Sequence, residues 1–251
     1  MGPIAISSIV FGCIFGGTLL GMNLRSILPE HHLSADTKDV VKVAMGLIGT
    51  MTALLLGLLV ASAKTAYDAR RSELIQMSAN FVLLDRVLAH YGPESKEGRD
   101  LLHGSVAQLL ARTWSHDNNE AAKLDPAAGS GDVLYDKLQQ LKPENEAQRT
   151  LQSQALSMAI NLGQTRWLLF EQSGTSISMP FLIVIVLWLT IIFGSFGLFA
   201  PRNMTALVSL LLAALSVSGA LFLVLELDRP FEGLIQISSA PMRSALAHLG
   251  K

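Results

Sequence analysis

The chain has 251 residues, of which only 16% are charged, and its formal net charge is −1. Soluble domains average about 25% charged residues. The deficit lies in four stretches without Asp, Glu, Lys or Arg, at residues 4–22, 43–63, 181–200 and 204–225. Each is long enough to cross a hydrocarbon core of about 30 Å as a helix. These features exclude a purely soluble enzyme, a nucleic-acid binder and a disordered chain.

The first stretch is predicted to be a retained membrane span and not a cleaved signal peptide. No Lys or Arg precedes it, and Asn23-Leu24-Arg25 is not a small-residue cleavage site. With four spans, the N-terminus, the long polar region and the C-terminal tail lie on one face of the membrane. Basic residues near the span ends are more frequent on that face, which favours a cytoplasmic location for it.

The chain is predicted to have four consecutive parts. Residues 1–63 hold the first two spans with their loop, residues 64–180 form a cytosolic helical domain, residues 181–226 hold the last two spans, and residues 227–251 form a cytosolic tail. Apolar positions in the helical domain recur every three to four residues, and no segment alternates with period two. The fold class is therefore predicted to be all-α.

The second span and the helix that follows it are predicted to be continuous. The connection at residues 23–42 is read as a loop with a helix start near Ser34. No helix breaker separates Val40 from Tyr91, and Gly92-Pro93 then ends the helix. Further helices are predicted at residues 97–114, at 133–141, and from Pro143 to about Gln172, with a loop at residues 116–132.

Small residues are dense in the first two spans. Gly12-x-x-x-Gly16 and Gly17-x-x-x-Gly21 permit close helix contact and predict tight packing of spans one and two. The second span carries its own small-residue stripe, for which helix packing and a pore-facing role both stay open. Its members are Gly46, Thr50, Ala53, Gly57 and Ala61.

The charge-free stretches contain no group for acid, base or ion-coupling chemistry. Proton pumps and coupled transporters usually hold ionisable residues inside the bundle, and hydrolysis needs an activated nucleophile. We therefore predict no enzyme activity and no cofactor. Hydroxyls with an apolar throat can line a pore, or they can satisfy backbone carbonyls of their own helix. The candidates are Thr50, Thr52, Thr190, Ser195, Ser209, Ser216 and Ser218.

Two polar segments outside the spans also bear on function. Glu30-His31-His32 suggests metal binding, but adjacent histidines do not converge on a regular backbone and further ligands lack recognisable spacing. We predict a solvated loop and no metal site. Asp228 and Arg229 follow the last span. Either they pair with each other, cap the helix or contact a neighbouring subunit, or they form an interfacial turn ended by Pro230.

Two short motifs resemble bestrophin ion channels. Leu54-Leu-Leu-Gly57-Leu58 is similar to the core of the second bestrophin helix, and Arg229-Pro230-Phe231 is similar to the segment after the fourth. The chain as a whole resembles a bacterial family of unknown function described as bestrophin-like. The segments that carry this resemblance are LPEHHL at residues 28–33, TRWLLFE at 165–171 and LDRPF at 227–231.

The resemblance implies a four-transmembrane-helix bundle with a cytosolic helical domain inserted between spans two and three, assembled as a homopentamer. Thr50, Leu54 and Leu58 would form the pore neck, next to a flank of small residues that faces other helices. That flank comprises Gly46, Ala53 and Gly57. Candidate vestibule or interface residues are Lys64, Arg166, Asp228 and Arg229.

The chain also departs from the bestrophin pattern. Bestrophin necks commonly carry aromatic side chains, whereas the matching positions here are one threonine and two leucines. Eukaryotic members have an acidic calcium clasp after their Pro-Phe-Gly segment. Here Leu-Ile-Gln-Ile-Ser-Ser follows Gly233, so calcium gating is not predicted.

The expected function is an oligomeric ion channel in a bacterial inner membrane, with cytoplasmic termini. Its expected partners are further copies of itself, membrane lipid and inorganic ions, with no nucleic acid. The alternative is a non-conducting scaffold or sensor whose cytosolic helices bind a partner. A transporter ranks third, because the spans lack charged residues.

Overall fold

The computed structural model describes residues 2–29, 32, 34–114, 131–171, 177–231 and 233–251. All regular elements within these residues are helical, which confirms the predicted all-α fold class. The α-helices are α1 (Pro3–Ile27), α2 (Ala35–Tyr91), α3 (Lys96–Thr113), α4 (Gly131–Gln139), α5 (Glu146–Glu171), α6 (Met179–Phe199), α7 (Met204–Leu227) and α8 (Ala240–His248).

The chain divides into two compact units. The first unit comprises Met1–Ala66 and Ser176–Asp228, and the second comprises Tyr67–Thr175 and Arg229–Lys251. Helix α2 contributes its first part to the first unit and its remainder to the second. Each unit has its own buried apolar core.

Four helices have the length and hydropathy of membrane spans, namely α1, α2, α6 and α7. This confirms the four spans predicted from the charge-free stretches and makes the chain a membrane protein. A helix suits that medium because all its central backbone groups are hydrogen-bonded within the segment. The loop between α1 and α2 is shorter than predicted, since α1 continues to Ile27 and α2 already begins at Ala35.

In the first unit, α1 packs against α6 and α7, and its contact with α6 is made through glycines. A Cβ added at Gly17 would lie 2.9 Å from Cγ2 of Thr190, and one at Gly21 would overlap the carbonyl oxygen of Gly194. A Cβ at Gly197 of α6 would likewise overlap the carbonyl oxygen of Thr18. The two helices therefore approach backbone to backbone.

The prediction that both glycine pairs pack spans one and two is wrong. Gly17 and Gly21 face α6, the third span, whereas a Cβ at Gly12 or Gly16 would meet open space. The spacing of small residues shows that a helix face permits close approach. It carries no information on which helix approaches, because that choice depends on the packing of the whole unit.

The second unit is built around the later part of α2. The apolar positions that recur there every three to four residues are all buried, namely Leu74, Met77, Phe81, Leu84, Leu88 and Tyr91. Helices α3, α4, α5 and α8 supply the other walls of this core. Their buried contributions include Leu102, Val106, Leu138, Leu162 and Met242.

Capping side chains set where α2 and α5 begin, and a glycine sets where α2 ends. The Ser34 hydroxyl accepts the N–H of Thr37 at 3.3 Å, which confirms the predicted start of α2. Helix α2 ends as predicted, because Gly92 has φ of 128°, a conformation that L side chains rarely adopt. Helix α5 begins at Glu146 and not at Pro143, since the side chain of Asn145 accepts the N–H of Gln148 at 2.8 Å.

The tail contains a helix that the sequence analysis missed. Helix α8 has nine residues, and its buried face consists of only two of them, Met242 and Ala245, which is too few to give a periodic pattern. Such a short helix depends on tertiary packing more than on its own propensity. The loop predicted at residues 116–132 lies outside the described residues, apart from Gly131 and Asp132, with which α4 begins.

A buried ion pair joins α2, α3 and the residues after α8. The Asp85 side chain is 1% exposed and accepts Nε of Arg99 at 2.8 Å and Nη2 of Arg99 at 2.9 Å. The backbone N–H of Gly250 donates to the same carboxylate at 3.1 Å. The hydrogen bond with Asp85 raises the pKa of the Arg99 guanidinium above its usual range. The pair is bidentate, so it fixes orientation as well as distance.

We predict that Gly21→Leu destabilises the chain strongly, because the new side chain would overlap α6. Overpacking of a tight contact costs about 1–3 kcal/mol. Gly16→Leu is the matched control, since its Cβ would enter open space in the same helix. Thermal unfolding of the detergent-purified variants measures both effects. Equal unfolding midpoints for the two variants would contradict the assigned contact.

Asp85→Asn is expected to lower the free energy of unfolding by about 2–3 kcal/mol, because it leaves the Arg99 charge without its carboxylate partner. Glu146→Gln provides the comparison, since its ion pair with Arg149 is exposed at both ends. Denaturant unfolding followed by circular dichroism should show a lower midpoint for Asp85→Asn alone. A wild-type midpoint for that variant would refute the structural role of the pair.

Candidate functional site

Helix α2 carries an exposed apolar stripe along its membrane part. The stripe is formed by Val43, Leu47, Thr50, Leu54 and Leu58, which recur every three to four residues and therefore share one helix face. Leu54 is 74% exposed and Leu58 is 59% exposed, although both are large apolar side chains. We refer to these five residues as the α2 stripe.

The opposite face of α2 is the one packed inside the first unit. Thr52, Leu59 and Ala63 are buried there, and the last two join the apolar core shared with α1, α6 and α7. At about 100° per residue, this face lies roughly opposite the α2 stripe. The α2 stripe is therefore turned away from the other spans of its own chain.

The three residues predicted to form the pore neck all belong to the α2 stripe. The hydroxyl of Thr50 donates to the carbonyl oxygens of Gly46 at 2.7 Å and Leu47 at 3.0 Å. Its polar group is thus satisfied within its own helix. Together with Leu54 and Leu58, it gives a surface without charge.

Most hydroxyls at membrane depth bond to their own helix. Thr52, Thr190 and Ser218 each donate to the carbonyl oxygen four residues earlier, at 2.7 to 2.8 Å. Ser216 does the same at 2.9 Å. By contrast, the structure shows no hydrogen bond between the hydroxyl of Ser195 or Ser209 and any described residue, so these two remain available to another molecule.

The small residues beside the α2 stripe are open within the single chain, so the expectation that they face other helices stays a prediction for the assembled protein. Gly46, Ala53 and Gly57 are exposed, and a Cβ added at Gly46 or Gly57 would meet nothing within 4 Å. The expectation came from aligning the Leu-Gly core with bestrophins. That alignment gives the order of residues along the helix, but it does not show which flank packs within a single chain.

The four candidate vestibule or interface residues are divided between the units. Lys64 and Asp228 belong to the first unit, and Arg166 and Arg229 to the second. Asp228 is 3% exposed at the end of α7, where its backbone N–H donates to the carbonyl oxygen of Val224 at 3.3 Å. All four residues have interaction partners.

Sequence reasoning missed two further buried charges, Arg70 and Glu226, each at most 3% exposed. Burial of a charge is costly unless it is paired, and neither residue is without an interaction partner. Glu226 directly follows a charge-free stretch, and Arg70 lies in a helix whose neighbouring charges are exposed. Their charge and position in the sequence therefore predicted exposed side chains for both.

The segment after α7 forms a turn held against the end of α3. The N–H of Ile237 donates to the carbonyl oxygen of Pro230 at 2.7 Å, which closes the turn. Trp114 Nε1 donates to the carbonyl oxygen of Ile237 at 2.9 Å, and its ring meets Phe231 edge to face at 6.1 Å. The motif Arg229-Pro230-Phe231 thus opens an ordered turn.

The histidine pair in the first loop gives no site within the described residues. Glu30 and His31 lie outside those residues, and His32 and Asp36 are exposed. Among the described residues, no three His, Cys, Asp or Glu side chains are grouped as metal ligands would be.

A family model described as "Bestrophin-like domain" matches residues 12–242. The chain belongs to the bestrophin-like family. This confirms the resemblance seen in the sequence. Comparison of this bestrophin-like chain with curated proteins and with solved structures gave no match. The matched region begins within α1 and ends in α8, so it includes the α2 stripe and the turn after α7.

Trp114→Phe is predicted to loosen the turn after α7, because it removes the donor to Ile237 and keeps an aromatic ring. The expected cost is about 1 kcal/mol, that of one hydrogen bond. Hydrogen exchange at residues 233–237 should accelerate in this variant. Trp167→Phe is the control, since Trp167 is 55% exposed. Exchange at the wild-type rate in both variants would show that the hydrogen bond from Trp114 does not hold the turn.

Proposed function

We propose that this bestrophin-like chain assembles as a homopentameric ion channel in which the α2 stripe of each copy lines a central pore. The observation that carries the proposal is the stripe itself, an exposed apolar face opposite the packed face of a membrane-spanning helix. Membership of the bestrophin-like family supports the proposal together with the resemblance to bestrophin channels, in which the second helix forms the neck.

The chemistry of the stripe suits a hydrophobic gate. Leu54 and Leu58 offer no charge to a permeating ion, and the hydroxyl of Thr50 is already bonded to its own backbone. A ring of such side chains controls permeation by excluding water from a narrow throat. Ion flow would then be passive, in keeping with the four stretches that contain no Asp, Glu, Lys or Arg for coupling.

The proposed setting is a bacterial inner membrane with cytoplasmic termini. The spans form a bestrophin-like bundle, and the helical domain between the second and third spans is cytosolic, where it forms a vestibule. Lys64, Arg166, Asp228 and Arg229 would lie along this vestibule or at subunit interfaces. The protein would act without a cofactor and without enzymatic turnover, with inorganic ions as its cargo.

Leu54→Ala and Leu58→Ala are expected to raise single-channel conductance at least about twofold, because each shortens the side chains that narrow the neck and eases its wetting. The measurement is current across a planar bilayer that contains the reconstituted full chain. Both substitutions affect exposed side chains, so the packed core of the subunit stays intact.

Leu187→Ala in α6 is the matched control, since Leu187 is 55% exposed in another span and lies outside the α2 stripe. Its conductance should equal that of the wild type. Unchanged current in both variants would show that Leu54 and Leu58 do not form the neck. A wild-type chain that is monomeric or dimeric and passes no current would favour the scaffold or sensor alternative.

A further inference from the structure

The first unit contains an apolar groove between the start of α2, the end of α6 and the start of α7. Its volume is about 690 Å³, within the range of about 300–1,000 Å³ typical of small-molecule sites. The wall is largely aliphatic and aromatic, and its main members are Val41, Met45, Ile192, Phe196, Phe199 and Leu210.

Two lysines line the groove where α2 begins. Lys38 and Lys42 are four residues apart and therefore lie on the same face of the helix. Lys42 pairs with Asp39 at 3.2 Å, but both side chains are largely exposed, so this ion pair is weak. The ammonium group of Lys38 has no hydrogen bond or ion pair with the residues that the structure describes. Both cations are thus available to an anion.

Two hydroxyls lie in the wall of the same groove. Ser195 and Ser209 are the span hydroxyls noted above that bond to no described residue, although Thr190 and Ser216 in the same helices bond to their own backbone. Each lies about one turn from the connection between α6 and α7. The groove therefore combines ammonium groups at its α2 end, two unbonded hydroxyls and an apolar wall.

We propose that this groove binds one anionic phospholipid per chain. An acyl chain would occupy the apolar wall, the phosphate would contact Lys38 and Lys42, and the ester oxygens would accept from Ser195 and Ser209. The charges are complementary, and phospholipid surrounds the spans in the membrane. The attraction between the phosphate and the two ammonium groups adds to the binding of the acyl chain.

The proposed lipid site is separate from the proposed pore. The lining residues of α2 lie on the side turned towards α6 and α7, and none of the α2 stripe residues lines the groove. Lipid binding can therefore be tested independently of ion conduction.

The groove can be blocked without disturbing the fold. A Cβ at Gly49, which lines the groove, would meet no atom within 4 Å. Gly49→Leu should therefore fill the space of the acyl chain. Gly57→Leu is the matched control, since Gly57 lies in the same helix with equally open surroundings but outside the groove.

The test is native mass spectrometry of the full chain in detergent, titrated with phosphatidylglycerol or phosphatidylcholine. The wild type should retain one phosphatidylglycerol per chain in preference to phosphatidylcholine. Lys38→Glu with Lys42→Glu should weaken phosphatidylglycerol binding at least about tenfold, and Gly49→Leu should weaken binding of both lipids. Gly57→Leu and Lys142→Glu should bind as the wild type does, and unchanged gel-filtration profiles would show that all variants are folded.

Three results would overturn the proposal. One is equal binding of the two lipids by the wild type, and another is equal binding by Gly49→Leu and Gly57→Leu. The third is efficient disulfide cross-linking between two copies that carry Gly49→Cys in a Cys13→Ser background, because it would show that a second chain occupies the groove.

Discussion

Hydrocarbon offers no hydrogen-bond partner, so polar groups in the four spans must be satisfied by the chain or by a bound molecule. Thr50, Thr52 and Thr190 meet this demand by donating to carbonyl oxygens of their own helices. Ser195 and Ser209 do not, and both line the groove at the start of α2. Hydrocarbon also removes the hydrophobic drive for association between helices, so α1 and α6 pack through glycines that let their backbones come into close van der Waals contact.

Helix α2 has one face packed inside its own chain and an opposite face that is exposed. Leu59 and Ala63 are buried with the other spans, whereas Leu54 and Leu58 on the other side are exposed. A helix that is apolar all round and packed on one side only leaves a surface for lipid or for further copies of the chain. The proposed pore assigns this surface to further copies of the chain.

The features that repeat along the chain were predictable, and those that depend on distant partners were not. Charge-free stretches identified the four spans, and the spacing from Leu74 to Leu88 identified the buried face of the later α2. The partner of Gly21 could not be found this way, because spacing describes one helix at a time. Helix α8 was missed since its burial depends on the core around Met242, and the pore neck still rests on the resemblance.

In the proposed channel, α2 helices from several copies surround a pore. An end-on image of the full chain in lipid nanodiscs, obtained by electron cryomicroscopy, tests this arrangement most directly. We expect a ring of five subunits with the α2 stripe facing a central hole at membrane depth. A monomer or dimer, or a ring in which α2 lies at the periphery against lipid, would contradict it.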